Sequence, residues 1–192
     1  MSIGNKYLNN AGQEFVVLKE FRRKHGNREH NKWIVQFVET GTTKEVYREN
    51  ATSGKVRDEY AISVYGKGYQ GDYSKEENPH WKQARQLWQN MMKRCYSTKD
   101  KKGYYGYATV CDRWHCFANF LHDLPKLKNF DLWLNPIDEK YNLDKDLIGN
   151  GSVYSPINCQ FITEHENKSA GAKATVDQYK RSGNKVWRSP HE

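Results

Sequence analysis

Oxygen-donor side chains and a phenol are concentrated in one stretch of the chain, residues 142–171 (NLDKDLIGNGSVYSPINCQFITEHENKSAG). Asp144 offers a carboxylate and Asn167 an amide carbonyl, which are ligands that a hard divalent cation prefers. Hydrolysis of a phosphodiester requires a neutralised phosphate charge, a deprotonated water and a stabilised leaving oxygen, and one such cation can hold the phosphate and that oxygen. The stretch therefore contains the group types that metal-assisted phosphodiester hydrolysis requires.

Local patterns predict how this stretch folds. The short apolar-acidic run Leu143–Asp146 predicts a strand, and residues 149–152 predict a turn-rich loop. Alternating polar and apolar residues predict a second strand at Cys159–Thr163. Thr163, followed by Glu166 three positions later, has the pattern of a capping box at a helix start. The expected order is strand, loop, strand, helix, with Asp144 on the first strand and Asn167 on the helix.

Charge and composition limit the partners of this chain. In 192 residues, Lys and Arg number 31 against 23 Asp and Glu, and the pI is near 9.2. A basic excess favours a polyanionic partner, either nucleic acid or an acidic membrane surface. Aromatic residues make up 14%, whereas a disordered basic tail would be poor in them, so the chain is expected to bury an aromatic-rich core.

Cellular location is predicted from what the sequence lacks. No run approaches 18 apolar residues, so no membrane span is expected. The N-terminus, MSIGNKYLNN, lacks the apolar segment of a signal peptide. Four cysteines without an export signal are expected to stay reduced. The prediction is a cytoplasmic protein with no membrane partner.

The first 60 residues are predicted to form β structure. Strands are expected at Glu14–Leu18, Trp33–Val38 and Lys44–Arg48, and their spacing predicts a small antiparallel barrel or a meander. The intervening segment 21–28 is strongly basic. It is interpreted either as a phosphate-contacting loop or as a solvated hairpin loop. Its candidate nucleic-acid contacts are Arg22, Arg23, Lys24 and Arg28.

The remaining chain divides by pattern into three parts. Residues 61–79 are rich in glycine and end in Pro79, which predicts a linker. From His80, apolar residues recur at helical spacing as far as Cys95, and residues 80–171 are predicted to form a mixed domain. Residues 172–192 form a basic tail. The predicted fold class is α+β, with a barrel-like module at 1–60 and a ββα-metal motif at the end of the mixed domain.

Residues 80–170 resemble the HNH, or ββα-metal, endonuclease family in the form common in phages and mobile elements. Three features carry the resemblance: the strand Leu143-Asp144-Lys145, the segment Tyr154–Cys159, and an Asn nine residues after Asn158. Two upstream segments are similar as well, Arg94-Cys95-Tyr96 and Val110–Trp114.

The resemblance implies a metal-dependent DNA endonuclease of phage or homing type. It assigns Asp144 and Asn167 as ligands of Mg²⁺ or Mn²⁺, and it assigns Asn158 to tying the loop together and orienting the base. The family places its helix at the minor groove of double-stranded DNA. Further DNA contacts are expected from four basic residues in and after that helix, namely Lys168, Lys173, Lys180 and Arg181. The oligomeric state, monomer or homodimer, is left open.

One position departs from the family pattern. The usual general base is a His directly after the first ligand, and here that position is Lys145. A lysine with a pKa of about 10.4 is protonated at neutral pH, so it is expected to bind or polarise the phosphate instead. A rare-cutting restriction endonuclease of this fold has Arg at the position of Lys145, and a loop tyrosine is proposed to activate its nucleophile. Tyr154 resembles that tyrosine. Its phenol, with a pKa near 10, would need a lowered pKa to do so.

Two other functions stay open. The first is a catalytically degenerate relative that binds DNA without cutting it, and the second is an RNA-directed module. The cysteines also allow two interpretations, because Cys111 and Cys116 flank His115 and relatives use cysteine for structural zinc. Since the chain has no Cys-x2-Cys pair, buried reduced thiols are the favoured interpretation.

Overall fold

A computed structural model of the chain describes residues 2–98, 108–148 and 152–169. The fold class is mixed α+β, with 29% helix and 29% strand. The chain forms two compact units, one of Met1–Ser63 with Tyr69–Asp72 and one of Val64–Gly68 with the residues from Tyr73 onward. None of the described helices is long and apolar enough to cross a membrane. The predicted contacts Lys173, Lys180 and Arg181 lie outside the described residues.

The first unit contains a four-stranded antiparallel sheet in sequential order. Its strands are β1 (Lys6–Leu8), β2 (Glu14–His25), β3 (Arg28–Phe37) and β4 (Thr43–Tyr47), followed by helix α1 (Arg48–Thr52). Among the described residues, β1 pairs only with β2 and β4 only with β3, so the sheet is open. The barrel-like module expected from the sequence is therefore corrected to a meander, the other form that the strand spacing allowed.

Alternation along the central strands builds the core of this unit. Phe15 and Val17 of β2 lie opposite Phe37 and Val35 of β3, and all four are at most 1% exposed. The segment 21–28, predicted to be a loop, instead extends β2 and β3 to a two-residue turn. Gly26 begins that turn at φ 58°, the left-handed conformation that glycine adopts without strain.

The second unit is built on helix α2 (Trp81–Tyr96), which confirms the amphipathic helix predicted from His80. Its buried stripe of Ala84, Trp88 and Met92 packs into one core with aromatic side chains from later in the chain. After α2 come strand β5 (Thr109–Val110), helices α3 (Asp112–His115) and α4 (Phe117–Asp123), a 3-10 turn (Leu124–Lys126) and helix α5 (Phe130–Leu134). The aromatic members of that core from later in the chain are Trp114, Phe117, Phe120, Tyr154 and Phe161.

The stretch richest in polar chemistry forms the last described part of this unit. Strand β6 (Tyr141–Asp144) pairs antiparallel with β8 (Gln160–Thr163), whereas β7 (Val153–Tyr154) pairs in parallel with β5. Residues 164–169 are helical and are called α6. The predicted capping box is confirmed, because Thr163 N donates to Glu166 Oε2 at 2.9 Å and Glu166 N donates to Thr163 Oγ1 at 3.1 Å.

Candidate active site

A cleft of about 410 Å³ in the second unit brings α2, β6, β7 and α6 together. Helix α2 contributes Asn90 and Arg94, which are four positions apart and so share one helix face. Three of the sequence-predicted site residues, Tyr154, Asn167 and Lys168, line the same cleft. The remaining lining residues are Leu87, Met91, Asn142, Leu143 and Glu164.

The side chains of Arg94 and Tyr154 are joined inside this cleft. Arg94 Nη1 donates to the phenol oxygen of Tyr154 at 2.8 Å, and Tyr154 is only 3% exposed. Burial raises the pKa of Tyr154 to about 12, although the neighbouring Arg94 opposes that rise. A nucleophile-activating role would need a pKa below 10, so the structure supports Tyr154 as the group that holds the Arg94 guanidinium in place.

Asp144 ends β6 and fixes the turn that follows. Its Oδ2 accepts hydrogen bonds from the backbone N–H groups of Asp146 at 3.1 Å and Leu147 at 2.9 Å. The residue is 3% exposed and does not line the cleft, although its neighbour Leu143 does. Within the described ranges no hydrogen bond to its second oxygen, Oδ1, is found. One carboxylate oxygen therefore stabilises the turn, and the other accepts no hydrogen bond from the described residues.

Lys145 is turned inward rather than toward solvent. Its side chain is 5% exposed, and Nζ lies 2.6 Å from Asp146 Oδ1 and 5.4 Å from the centroid of the Tyr154 ring. The positive charge is thus paired with one carboxylate and lies beside the phenol that binds Arg94. To touch a phosphate, as predicted from the sequence, Lys145 would have to exchange Asp146 for it.

Asn158 closes the loop that carries Tyr154. Its Nδ2 donates to the Val153 carbonyl at 3.3 Å, and its backbone N–H donates to Ser155 Oγ at 3.2 Å. These bonds link both sides of Tyr154 to a single residue. Asn158 therefore fixes the backbone immediately before and after Tyr154.

The donor set of the predicted metal site is chemically suited to a hard cation. Asp144 offers a carboxylate oxygen to which none of the described residues donates, and Asn167 offers an amide carbonyl at the cleft wall. Magnesium commonly binds through one or two such protein oxygens and keeps several waters. In the described part of the chain, no cluster of three His, Cys, Asp or Glu side chains could hold a metal. An ion bound here would take its remaining ligands from water and substrate.

The four cysteines are reduced and form no disulfide with one another, with Cys95, Cys116 and Cys159 buried and Cys111 partly exposed. His115, which lies between Cys111 and Cys116 in the sequence, has its ring nitrogens directed at protein groups: Nε2 lies 2.9 Å from the hydroxyl of Tyr96, and Nδ1 lies 3.6 Å from Asp112 Oδ1. The described geometry is that of thiols within a packed core.

The basic residues predicted in the first unit lie on strands. Arg22 forms an ion pair with Glu29 at 3.3 Å, and Arg23 forms one with Glu45 at 3.0 Å. Lys24 and Arg28 are exposed, and no carboxylate of the described residues lies within ion-pair distance of them. Lys168, predicted on the terminal helix, lines the cleft and pairs with Glu164 at 2.7 Å.

Arg94 lines the cleft, but sequence reasoning did not place it in the site. The sequence predicted that Arg94 lies on the polar side of α2, but it gave no reason to choose Arg94 over the other cations on that side. The missing information was the partner, because Tyr154 lies sixty positions away in the chain. Comparison of the chain with protein-family models, curated proteins and solved structures finds no match.

Proposed function

We propose that the chain is a metal-dependent endonuclease that hydrolyses phosphodiester bonds in double-stranded DNA. The observation that carries the proposal is the cleft lined by Arg94, Lys168 and Asn167, beside the strand that ends at Asp144. Two cations suit a phosphate, and two oxygen donors suit a divalent cation. The resemblance of residues 142–171 to HNH nucleases gives the same reaction.

Arg94 is the residue proposed to bind the phosphate. A guanidinium presents paired N–H donors that match phosphate oxygens, and one of its nitrogens is already held by Tyr154. Because that bond exists before substrate arrives, the orientation of the guanidinium costs less entropy on binding. Lys168 adds a second charge once it releases Glu164, and its exposure allows this exchange.

Asp144 and Asn167 are proposed to hold Mg²⁺ or Mn²⁺, which when bound would neutralise phosphate charge and acidify water. The two backbone N–H groups on Oδ2 fix the direction of the Asp144 carboxylate. Asn158 holds the loop on both sides of Tyr154, and that loop in turn holds Arg94. Lys145 acts in this proposal through Asp146 and Tyr154, as a positioning residue.

Proton removal from the attacking water has no dedicated side chain in this proposal. Lys145 stands where the family has histidine, and the pKa of Tyr154 is raised to about 12 by burial. The water would therefore lose its proton to solvent. Cleavage is expected to be slow and to accelerate continuously with rising pH, without the levelling-off above about pH 7 that a histidine base produces.

Supercoiled plasmid incubated with the protein and Mg²⁺ or Mn²⁺ tests the proposal. Wild type should yield nicked or linear product, and Asp144→Asn and Asn167→Ala should each lower the rate at least about 100-fold while retaining DNA binding in EDTA. Asp138→Asn, which removes an exposed carboxylate just before β6, is the matched control and should cut normally. Cleavage by both site variants at the wild-type rate would refute the assignment.

The second candidate is a DNA-binding protein of this fold that does not cut. The raised pKa of Tyr154 and the inward, paired Lys145 favour it, because both positions lack an effective base. Intact DNA binding by wild type with no product in either metal would establish this candidate and exclude the nuclease.

A further inference from the structure

Strands β2 and β3 continue beyond their neighbours as a two-stranded ribbon, residues 21–32. The pairs run from Phe21↔Lys32 to His25↔Arg28, whereas the last β4 pair is Lys32↔Tyr47. At about 3.4 Å per residue, the ribbon projects roughly 14 Å past the point where β4 pairing stops. Its residues 22–29 are all exposed.

The two faces of the ribbon differ in charge. Strand alternation places Arg22, Lys24, Glu29 and Glu20 on the inner face, the side of the core residue Trp33. Two cations and two carboxylates cancel there, and Arg22 is bonded to Glu29. The outer face, by the same alternation, bears four cations and no β2 or β3 carboxylate over residues 19–32. These cations are Lys19, Arg23, Arg28 and Lys32.

Neighbouring strands leave most of this outer charge uncompensated. Glu45 of β4 lies on the same face and contacts Arg23 at 3.0 Å and Lys32 at 3.5 Å, which lowers the formal sum from four to three. Lys32 also lies 3.3 Å over the Tyr47 ring, and its side chain is only 13% exposed. Lys19, Arg23 and Arg28 are therefore the accessible cations of the outer face.

We propose that the outer face of the ribbon enters the major groove of duplex DNA, with Arg23 and Arg28 contacting the nucleic acid. The major groove of B-form DNA is about 12 Å wide and 8.5 Å deep and admits a two-stranded ribbon, so a projection of roughly 14 Å can reach its floor. The narrow major groove of an RNA duplex excludes such a ribbon. The ribbon therefore recognises B-form DNA by shape and charge.

This proposal shares only its partner, DNA, with the nuclease proposal, and it is tested without metal. Binding of the full chain to a duplex is measured in EDTA over a range of salt concentrations. Arg23→Gln/Arg28→Gln should weaken binding about tenfold and lower the slope of log affinity against log salt by about two. Arg22→Gln/Lys24→Gln removes the same charge from the inner face and should change affinity less than about twofold. Equal losses of DNA affinity in the two double variants would overturn the proposal.

Shortening the ribbon tests the mode of entry. Deleting residues 22–25 and 28–31 removes four facing pairs, retains the Gly26-Asn27 turn and preserves which side chains face the core. The variant should bind DNA more weakly than wild type, and that difference should vanish when methyl green fills the major groove but persist when netropsin fills the minor groove. The opposite pattern would exclude entry into the major groove.

Competing partners give distinct outcomes in the same assays. For an RNA duplex of the same sequence, the outer-face double variant and the inner-face control should show the same binding affinity. An equal loss of RNA and DNA binding in the outer-face pair would show unspecific phosphate attraction and refute the groove assignment. If Arg23→Gln/Arg28→Gln weakened binding to anionic lipid vesicles and left DNA binding unchanged, the ribbon would be assigned to a membrane surface instead. A nuclease failure with these binding results intact would leave the ribbon proposal standing.

Discussion

The phenol of Tyr154 and the guanidinium of Arg94 meet at 2.8 Å across sixty positions of sequence. The bond joins helix α2 to strand β7, two elements that no local pattern connects. Because burial raises the pKa of Tyr154 to about 12, the phenol keeps its proton at every physiological pH. The phenol therefore acts as a fixed hydrogen-bond acceptor that holds the Arg94 guanidinium in the cleft.

Replacing Tyr154 with Phe distinguishes two roles of the phenol, holding the Arg94 guanidinium and acting as a general base. Loss of the support should lower the cleavage rate about tenfold and leave the shape of the pH–rate profile unchanged. Loss of a general base would cost about 10²- to 10⁴-fold and remove one limb of the profile. The variant should also lose about 1–2 kcal/mol of unfolding free energy, because Arg94 loses an acceptor. Tyr141→Phe on β6 is the matched control.

Asp144 is expected to have separable structural and catalytic roles. Asp144→Ala removes the acceptor of two backbone N–H groups and should cost about 1–2 kcal/mol of unfolding free energy. Asp144→Asn retains an oxygen for those groups, so it should cost under about 1 kcal/mol while still abolishing cleavage. Urea unfolding of the two variants measures the difference. Equal destabilisation would show that the carboxylate charge, not the turn, determines stability.

Asp123 should make stability depend on pH in the acidic range. Burial alone would raise the pKa of this carboxyl, but hydrogen bonds from Arg113 and Trp114 lower it to about 2. Since the unfolded pKa is near 3.9, the stabilisation is complete above about pH 4 and is lost as pH falls through 2. The contribution is about 2 kcal/mol.

Asp123→Asn provides the measurement for that pH dependence. Unfolding free energy of wild type should fall between pH 4 and pH 2 more steeply than that of the variant. Parallel curves for the two proteins would show that other carboxyl groups cause the acid sensitivity.

The cysteines should differ sharply in reactivity. Burial raises the pKa of Cys159 to about 12 and that of Cys95 to about 11, so at pH 8 only about one in 10⁴ and one in 10³ of these thiols is ionised. The partly exposed Cys111 is the internal control. Iodoacetamide should label Cys111 first and the other two only after unfolding, as judged by peptide mass spectrometry. Rapid labelling of Cys159 in the folded chain would contradict its burial.

Patterns confined to a few turns were predictable from the sequence. The apolar spacing from Trp81 to Cys95 gave α2, because a buried helix face repeats every three to four residues. The pairing of Thr163 with Glu166 gave the start of α6, because both partners lie within one turn. Such signals depend only on neighbours along the chain.

Pairings between distant segments were not predictable. The basic run after Phe21 has the composition of a loop, and only its register with Arg28–Lys32 makes it a ribbon. Strands β5 and β7 contain two residues each, too few to show any alternation. For the same reason the sequence placed Tyr154 in a loop and gave no sign of its contact with Arg94. The mixed α+β class was predicted correctly, whereas the barrel-like form expected for the first module was corrected to an open meander.

The parallel pair β5–β7 sets a lower size limit on a transferable site. Thr109 and Val110 lie opposite Val153 and Tyr154, forty-four positions later, so a peptide of residues 142–171 lacks the strand that Tyr154 pairs with. It also lacks the helix that bears Arg94. Recombination or engineering that moves the motif alone would transfer the proposed metal ligands, Asp144 and Asn167, without Arg94. The smallest fragment that keeps the cleft must begin before Trp81.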